Sequence, residues 1–396
     1  MHDGAVAFRT RPSPRSRDAQ ACVLGAIDLV SALKLAGLPV VVVAEREDPA
    51  RYSRSAVARI DGAAEDRPSD ERVEALLAFA AQQPEAPVLY FDDDEDLLFV
   101  SRNRERIGRG FRFAIARAGL VEDLVDKARF HALAQLLGLP VPRSVQCSSR
   151  ALDDEHGLRF PVVVKPVSRH GSGWSRVVEG KAAHAHDRPA LAALGARLAD
   201  TDIDVLVQEA VVGPESRVES YHVYVDEQGR IAGEFTGRKL RTYPRSCGFS
   251  TAITITDDAE LRALGRRITR ELELHGVAKL DFKRGPDGRH NLLEVNPRFN
   301  LWHHAGALAG VNLPALVYDD LLGRPAPPPC AARPGVTWCS VHDAQAARAA
   351  GVGVVPWLRW VAACDAISGL AWDDPFPLAR AAAWRARGRL PRSAAV

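Results

Sequence analysis

The stretch L-E-V-N-P-R-F at 293–299 sets a carboxylate (Glu294), an amide (Asn296) and a guanidinium (Arg298) at alternate positions around a proline. Period-two alternation with Val295 is strand spacing. Just upstream, V-A-K-L-D-F-K at 277–283 alternates in the same way. Parity puts Lys279, Asp281 and Lys283 on one strand face and Ala278, Leu280 and Phe282 on the other. The turn R-G-P-D-G-R joins the two runs, so a hairpin is expected. It brings Asp281 to Glu294 and Asn296 only if the register allows, and the sequence does not fix that register. Two carboxylates and an amide oxygen, with no cationic partner required, are hard ligands that suit Mg²⁺. A solvent-exposed hairpin with chance polar residues is the competing reading.

Three further segments carry groups that a Mg²⁺–nucleotide site needs. Lys165 closes F-P-V-V-V-K and is followed by S-R-H-G-S-G, with Gly171 and Gly173. Small residues let backbone N–H groups approach phosphate oxygens, and a lysine adds a point charge. The order G-K-[ST] is absent, so this is no Walker A loop, and a simple turn competes. Lys127 opens the helical pattern of D-K-A-R-F, where a surface charge is the alternative. V-L-V-Q-E-A-V-V-G-P-E ends a buried strand at Glu209 and Ala210. Backbone there can read an adenine edge, and Glu215 can accept from ribose hydroxyls or simply be a loop residue.

The elements that must position these groups follow from periodicity. Ala21–Ala36 reads as a helix ending at Gly37, followed by the buried strand L-P-V-V-V-V-A. Val73–Ala81 reads as a helix and A-P-V-L-Y-F as a strand, which together imply a small parallel α/β layer. A missing G-x-G-x-x-G argues against an ordinary dinucleotide fold. Asp126–Leu137 is an amphipathic helix. From Phe160 the chain turns β-rich, with strands at 160–166 and R-V-V, a helix at 189–199 and the strand V-L-V-Q-E. S-Y-H-V-Y-V and I-A-G-E-F-T-G-R-K-L-R form a hairpin through D-E-Q-G, and a helix covers 257–274. A proline-rich linker then leads to a tail containing W-L-R-W, read as helical, with the two tryptophans as core or interface.

The order of these motifs resembles the ATP-grasp superfamily. It is carried by D-K-A-R-F (126–130), F-P-V-V-V-K-P with S-R-H-G-S-G (160–173), Q-E-A-V-V-G-P-E (208–215), L-D-F-K (280–283) and L-E-V-N-P-R-F (293–299). Together they span about residues 120–325. The stretches S-R-N-R-E-R-I and V-E-D-L-V-D-K are similar to the carbamoyl-phosphate-synthase-like branch that holds D-aspartate ligase and other carboxylate–amine ligases. The fold so implied is α/β and α+β. It has a Rossmann-like pre-ATP-grasp domain at 1–120, a small lid subdomain at 121–205 and a large subdomain at 206–325. The linker and a helical extension occupy 326–396.

The resemblance also implies roles. Lys127, Lys165 and Lys283 would contact the nucleotide, and Ser168, His170, Gly171, Ser172 and Gly173 would form a mobile loop over the phosphates. Glu209 with the backbone of Ala210 and Val211 would hold adenine, and Glu215 the ribose. Asp281, Glu294 and Asn296 would bind one or two Mg²⁺ ions, or Mn²⁺ in their place. Arg298 would face the substrate carboxylate or its acyl phosphate. Arg238 and Lys239 would serve near the transferred phosphate, although strand parity lets at most one point inward. The expected cofactors are therefore ATP and Mg²⁺. The expected activity is ligation of a small carboxylate to an amine, either an amino acid or a peptide. Activation of bicarbonate, or nucleotide binding without turnover, are the alternatives. A homodimer is expected by analogy only.

Composition sets bounds around this reading. The 396 residues include 52 basic and 50 acidic ones, a net charge of +2, so neither a nucleic acid nor a membrane surface is an expected partner. The six cysteines form no C-x-x-C pair, which fits a reducing, cytoplasmic setting. No apolar leader opens the chain, and no secretory signal is expected. The run D-D-D-E-D at 92–96 reads as a solvated loop, because contiguous carboxylates cannot converge on one ion from a strand or helix. His303 and His304 read as loop residues.

Overall fold

The computed structural model describes residues 19–380 apart from 26, 45–47, 61–67, 153–156, 168–172, 179, 181, 245–247, 326, 371–373 and 378. Ser168, His170, Gly171 and Ser172 therefore lie outside the described residues.

A first, all-parallel sheet comprises β1 (Ala21–Leu24), β2 (Val40–Val43), β3 (Ala56–Ile60) and β4 (Val88–Phe91), in the order β3-β2-β1-β4. The helix expected from Ala21 begins only at Ile27, and Ala21–Leu24 is a strand. A-C-V-L is buried on both faces, as a central parallel strand must be, so it lacks the alternation that would have marked it. Gly25, with φ +81°, makes the break between strand and helix.

A second, antiparallel sheet contains β5 (Ser144–Ser148), β6 (Val162–Pro166), β7 (Ala183–Ala185) and β8 (Asp204–Glu209), ordered β5-β8-β6-β7. The expected strand at R-V-V is instead a short helix, Trp174–Val177. Trp174 is driven into the core of this lobe and donates its indole N–H to the Gly180 carbonyl at 2.9 Å.

The third sheet is the largest. It holds β9 (Val218–Val225), β10 (Ile231–Tyr243), β11 (Phe249–Thr256), β12 (Gly276–Arg284), β13 (His290–Asn296), β14 (Thr337–Cys339) and β15 (Ala366–Ile367). Its order is β13-β12-β9-β10-β11-β14-β15. Both expected hairpins are present as antiparallel pairs. The tail is not purely helical. β14 extends the sheet by pairing with β11, and β15 pairs parallel with β14. The flanking helices Asp343–Ala349 and Val354–Ala363 complete it. Three-residue strands carry too little periodicity to be read from sequence.

Packing explains how these sheets work together. One apolar core joins Leu89 and Phe91 of the first sheet to Leu120, Leu261 and the Ala278–Leu280–Phe282 face of β12. A second core covers the other faces, with Trp302, Tyr318 and Trp338 fully buried. The β5–β8 lobe has a core of its own, built on Val162, Val164, Leu191 and Val207. The cleft opens between this lobe and the seven-stranded sheet.

Candidate active site

The register left open by the sequence is resolved in the β12–β13 hairpin. Asp281 lies opposite Glu294, and Lys279 opposite Asn296. A bulge after Asp281 shifts the remaining pairs. The Lys279–Asp281–Lys283 face lines or underlies a cleft of about 630 Å³, while Ala278, Leu280 and Phe282 are buried behind it. Glu294 opens onto the cleft and Asp281 is only 1% exposed.

Asp281 does have cationic partners. Lys279 Nζ donates to its Oδ2 at 2.7 Å, Lys239 Nζ lies 3.8 Å away, and the Ser220 hydroxyl donates to Oδ1. Burial pushes the Asp281 carboxyl up, but the two ammonium groups and these hydrogen bonds outweigh it and hold it well below the usual range. Glu294 is held low as well. Burial and the Asp281 charge raise it, and Lys279 with Lys239 bring it down. Burial lowers the Lys279 pKa against the opposing pull of Asp281. Lys279 and Ser220 had no assigned role from sequence. The period-two face that carries Asp281 was the signal for Lys279, but Ser220 comes from a neighbouring strand and left none.

The donors fit a hard divalent cation: two ionised carboxylates face each other across a strand pair, with an amide two residues on. Asp281, Glu294 and Asn296 would hold it. Lys239 reaches this face while Arg238 is exposed on the other, as parity required.

The remaining groups enter from the facing elements. Asp126 caps the helix Lys127–Leu136, accepting from the Ala128 and Arg129 amides at 2.9 Å each. That cap starts the helix at Lys127, whose Nζ donates to the Pro166 carbonyl at 2.8 Å. Lys165 Nζ donates to Gln208 Oε1 at 3.2 Å, and Lys283 lies 3.6 Å from Glu215. Lys127, Lys165, Lys239, Lys283, Glu294 and Asn296 thus share one cleft.

Three of the expected residues have further partners in the fold. The Glu209 carboxylate is committed to Arg159, accepting from its amide at 3.0 Å and its guanidinium at 3.0 and 3.3 Å. Its neighbour Gln208 faces Lys165 instead, which the alternation in V-L-V-Q-E could have shown. Ala210 spends its N–H on the Pro161 carbonyl, so its carbonyl and the Val211 backbone are what remain at that strand end. Gly173 has a packing reason: a Cβ there would meet Thr201 Cγ2 at 2.6 Å.

The acidic run is not a solvated loop. It follows β4 at the carboxyl edge of the parallel sheet, beside the point where strand order reverses between β1 and β4. Asp93 caps the helix Asp94–Arg102 through the Asp96 amide at 2.7 Å. Asp96 is buried against Arg72 at 2.5 Å. Asp94 accepts from Arg298 Nε at 2.7 Å, and Arg298 Nη1 also donates to the Asp92 carbonyl. Arg298 therefore lines the cleft while fastening the β13 end to the carboxyl edge of the first sheet. Its Nη2 has no hydrogen-bond partner among the described residues. His303 lies in the helix Trp302–Leu308, fully buried, and His304 lies 3.4 Å from Asp28.

Comparison with known proteins bears on this arrangement. Residues 230–344 match the family model described as ATP-grasp in the biosynthetic pathway with Ter operon. D-aspartate ligase of Enterococcus faecium is 24% identical over 233 residues, covering 56% of this chain and 55% of that protein. D-alanine–D-alanine ligase of Halorhodospira halophila is 32% identical over 216 residues, covering 50% and 65%. The chain thus spans between about half and two thirds of the length of these curated relatives. Among solved structures, N5-carboxyaminoimidazole synthetase from Staphylococcus aureus superposes with a TM-score of 0.60 at 14% identity, covering 81% of each chain. No described helix is long and apolar enough to cross a membrane.

Proposed function

The chain belongs to the ATP-grasp superfamily, and from that premise we propose that it is an ATP-dependent carboxylate–amine ligase. The observation that carries this is the Asp281–Glu294 pairing, with Asn296 and four lysines turned into one cleft. Ligase relatives over half of the chain point the same way.

The chain's own residues do the following in this reading. A carboxylate must gain a leaving group before an amine can attack it, and two anions must approach for phosphoryl transfer. Lys127 and Lys165 on the lobe side and Lys239 and Lys283 on the sheet side reduce that repulsion. A Mg²⁺ ion held by Asp281, Glu294 and Asn296 supplies further charge neutralisation when bound. The Ala210 carbonyl and Val211 backbone meet the adenine edge, and Glu215, steadied by Lys283, accepts from the ribose. The carboxylate oxygen takes the γ-phosphoryl group as ADP leaves, and the amine then adds to the acyl phosphate and expels phosphate. At the β13 end Arg298 offers Nη2 to the oxyanion of that addition while Asp94 fixes its orientation. The curated relatives, a D-aspartate ligase and a D-alanine–D-alanine ligase, support an amino acid or a peptide as a substrate.

ADP release should be measured with Mg²⁺-ATP against paired panels of amino acids and small carboxylates. Turnover that needs both a carboxylate and an amine is the expected outcome. Turnover with bicarbonate alone would instead favour the carboxylase reading, and ATP binding with no turnover by any pair would favour a regulatory protein.

A further inference from the structure

We propose that His131 is a positioning residue that, acting through Gln208, aims the Lys165 ammonium into the cleft; this rests on the nucleotide reading given above. The Lys165 ammonium can only donate. Its partner at 3.2 Å is therefore the Gln208 oxygen, Oε1. That choice fixes the amide, because the Gln208 NH₂ must then face the other way, towards His131 Nε2 at 2.8 Å. An amide NH₂ also only donates, so His131 Nε2 has to be a bare acceptor. The ring proton consequently sits on Nδ1, 2.9 Å from Ser144 Oγ, which accepts it.

One donor-only group at the end of the chain thus dictates every orientation back to the serine. Flipping the amide would set its NH₂ against the ammonium, and protonating the ring would set two donors face to face. The four residues come from four elements: the helix Lys127–Leu136, β5, β8 and β6. Ser144 and Gln208 are register partners, and β6 is the next strand over. His131 is 5% and Gln208 2% exposed, so water does not offer a ready substitute for either bond. Burial, with the Lys165 charge as a second cause, lowers the ring's pKa to about 4, consistent with a neutral imidazole near neutrality. Apart from Lys165, none of these residues had a role assigned from the sequence: a lone histidine on a helix and a glutamine inside a valine-rich strand are ordinary core residues.

Two measurements on the full chain test this. Nitrogen-15 spectra of the imidazole rings near neutral pH should show His131 protonated on Nδ1 alone. A proton on Nε2, or on both nitrogens, would overturn the proposal without reference to any ligand. The second is a double-mutant cycle on Mg²⁺-ATP affinity using His131→Phe, Lys165→Met and the pair. His131→Phe should weaken binding about tenfold, the scale of one buried hydrogen bond to a charged group. That loss should vanish in the Lys165→Met background. Unchanged affinity in His131→Phe, or an undiminished loss in the double variant, would defeat the positioning role. Should His131→Phe fail to fold, the wild-type spectrum decides. Failure of the wild type to bind Mg²⁺-ATP would defeat the nucleotide reading itself. A wrong ring tautomer with intact Mg²⁺-ATP binding would defeat only the role of His131.

Discussion

Acidification should erode this protein's stability through His303, and the effect can be isolated with one substitution. The ring is 0% exposed, its Nδ1 accepts the Asn300 backbone amide at 3.2 Å, and its Nε2 has no hydrogen-bond partner among the described residues. Burial, with the Lys279 charge as a second cause, pushes its pKa from 6.5 down to about 3. Between those values the unfolded chain takes up a proton that the native protein refuses. Stability is therefore complete above 6.5 and is lost as pH falls towards 3. Integrating that proton uptake from pH 6.5 to 4.5 gives about 2 kcal/mol, a large part of the ~5–15 kcal/mol that holds a typical domain together.

His303→Asn keeps an oxygen to accept the Asn300 amide and removes the titration. Urea unfolding at several pH values in this window, compared at constant m-value, should show the wild type losing about 2 kcal/mol more than the variant. The smaller side chain adds an offset that does not vary with pH, so it cancels from the comparison of slopes. Asp96, raised to about 7 chiefly by burial, acts with the opposite sign in the same window but is present in both proteins. The carboxylates held low, Asp281 and Glu294, contribute their loss at more acid pH. Parallel stability lines for the two proteins would refute the argument that this histidine is buried neutral.

Three other outcomes are expected. Glu294→Gln should abolish ATP turnover while leaving the far-ultraviolet circular dichroism and thermal midpoint near those of the wild type; retained turnover would move the metal site elsewhere. Asp343 is 0% exposed and accepts from Arg241 at 2.8 and 2.6 Å, from Thr251 at 3.0 Å and from the Trp357 indole at 2.9 Å. Asp343→Ala should cost about 3–5 kcal/mol in urea unfolding because it strands the Arg241 charge, and Arg241→Met combined with Asp343→Leu should recover most of that. Cys339, at the end of β14, and Cys364, just before β15, have thiols near enough to perturb each other's titration, so mild oxidation with diamide should link them, read by peptide mapping without reductant. Recovery of both as free thiols would argue against their contact.

Sequence and tertiary structure contributed different things. Alternation alone placed Asp281, Lys279 and Lys283 on one face and Glu294 with Asn296 on the partner strand, because period two is a local property of the chain. It also allowed only one of Arg238 and Lys239 to turn inward. Pairing was beyond its reach, since a hairpin's register depends on a bulge and on which neighbour the strand finds. Only the fold set Asp281 opposite Glu294, brought Ser220 and Lys239 to the same carboxylate, and turned Arg298 onto Asp94, some two hundred positions away (94 against 298). The Lys165–Gln208–His131–Ser144 chain is of the same kind. His131, Gln208 and Ser144 are ordinary in their own segments, and their meaning arises from donors and acceptors that meet across four elements. Long-range contacts of this sort leave no periodic trace, whereas the faces that make them possible do.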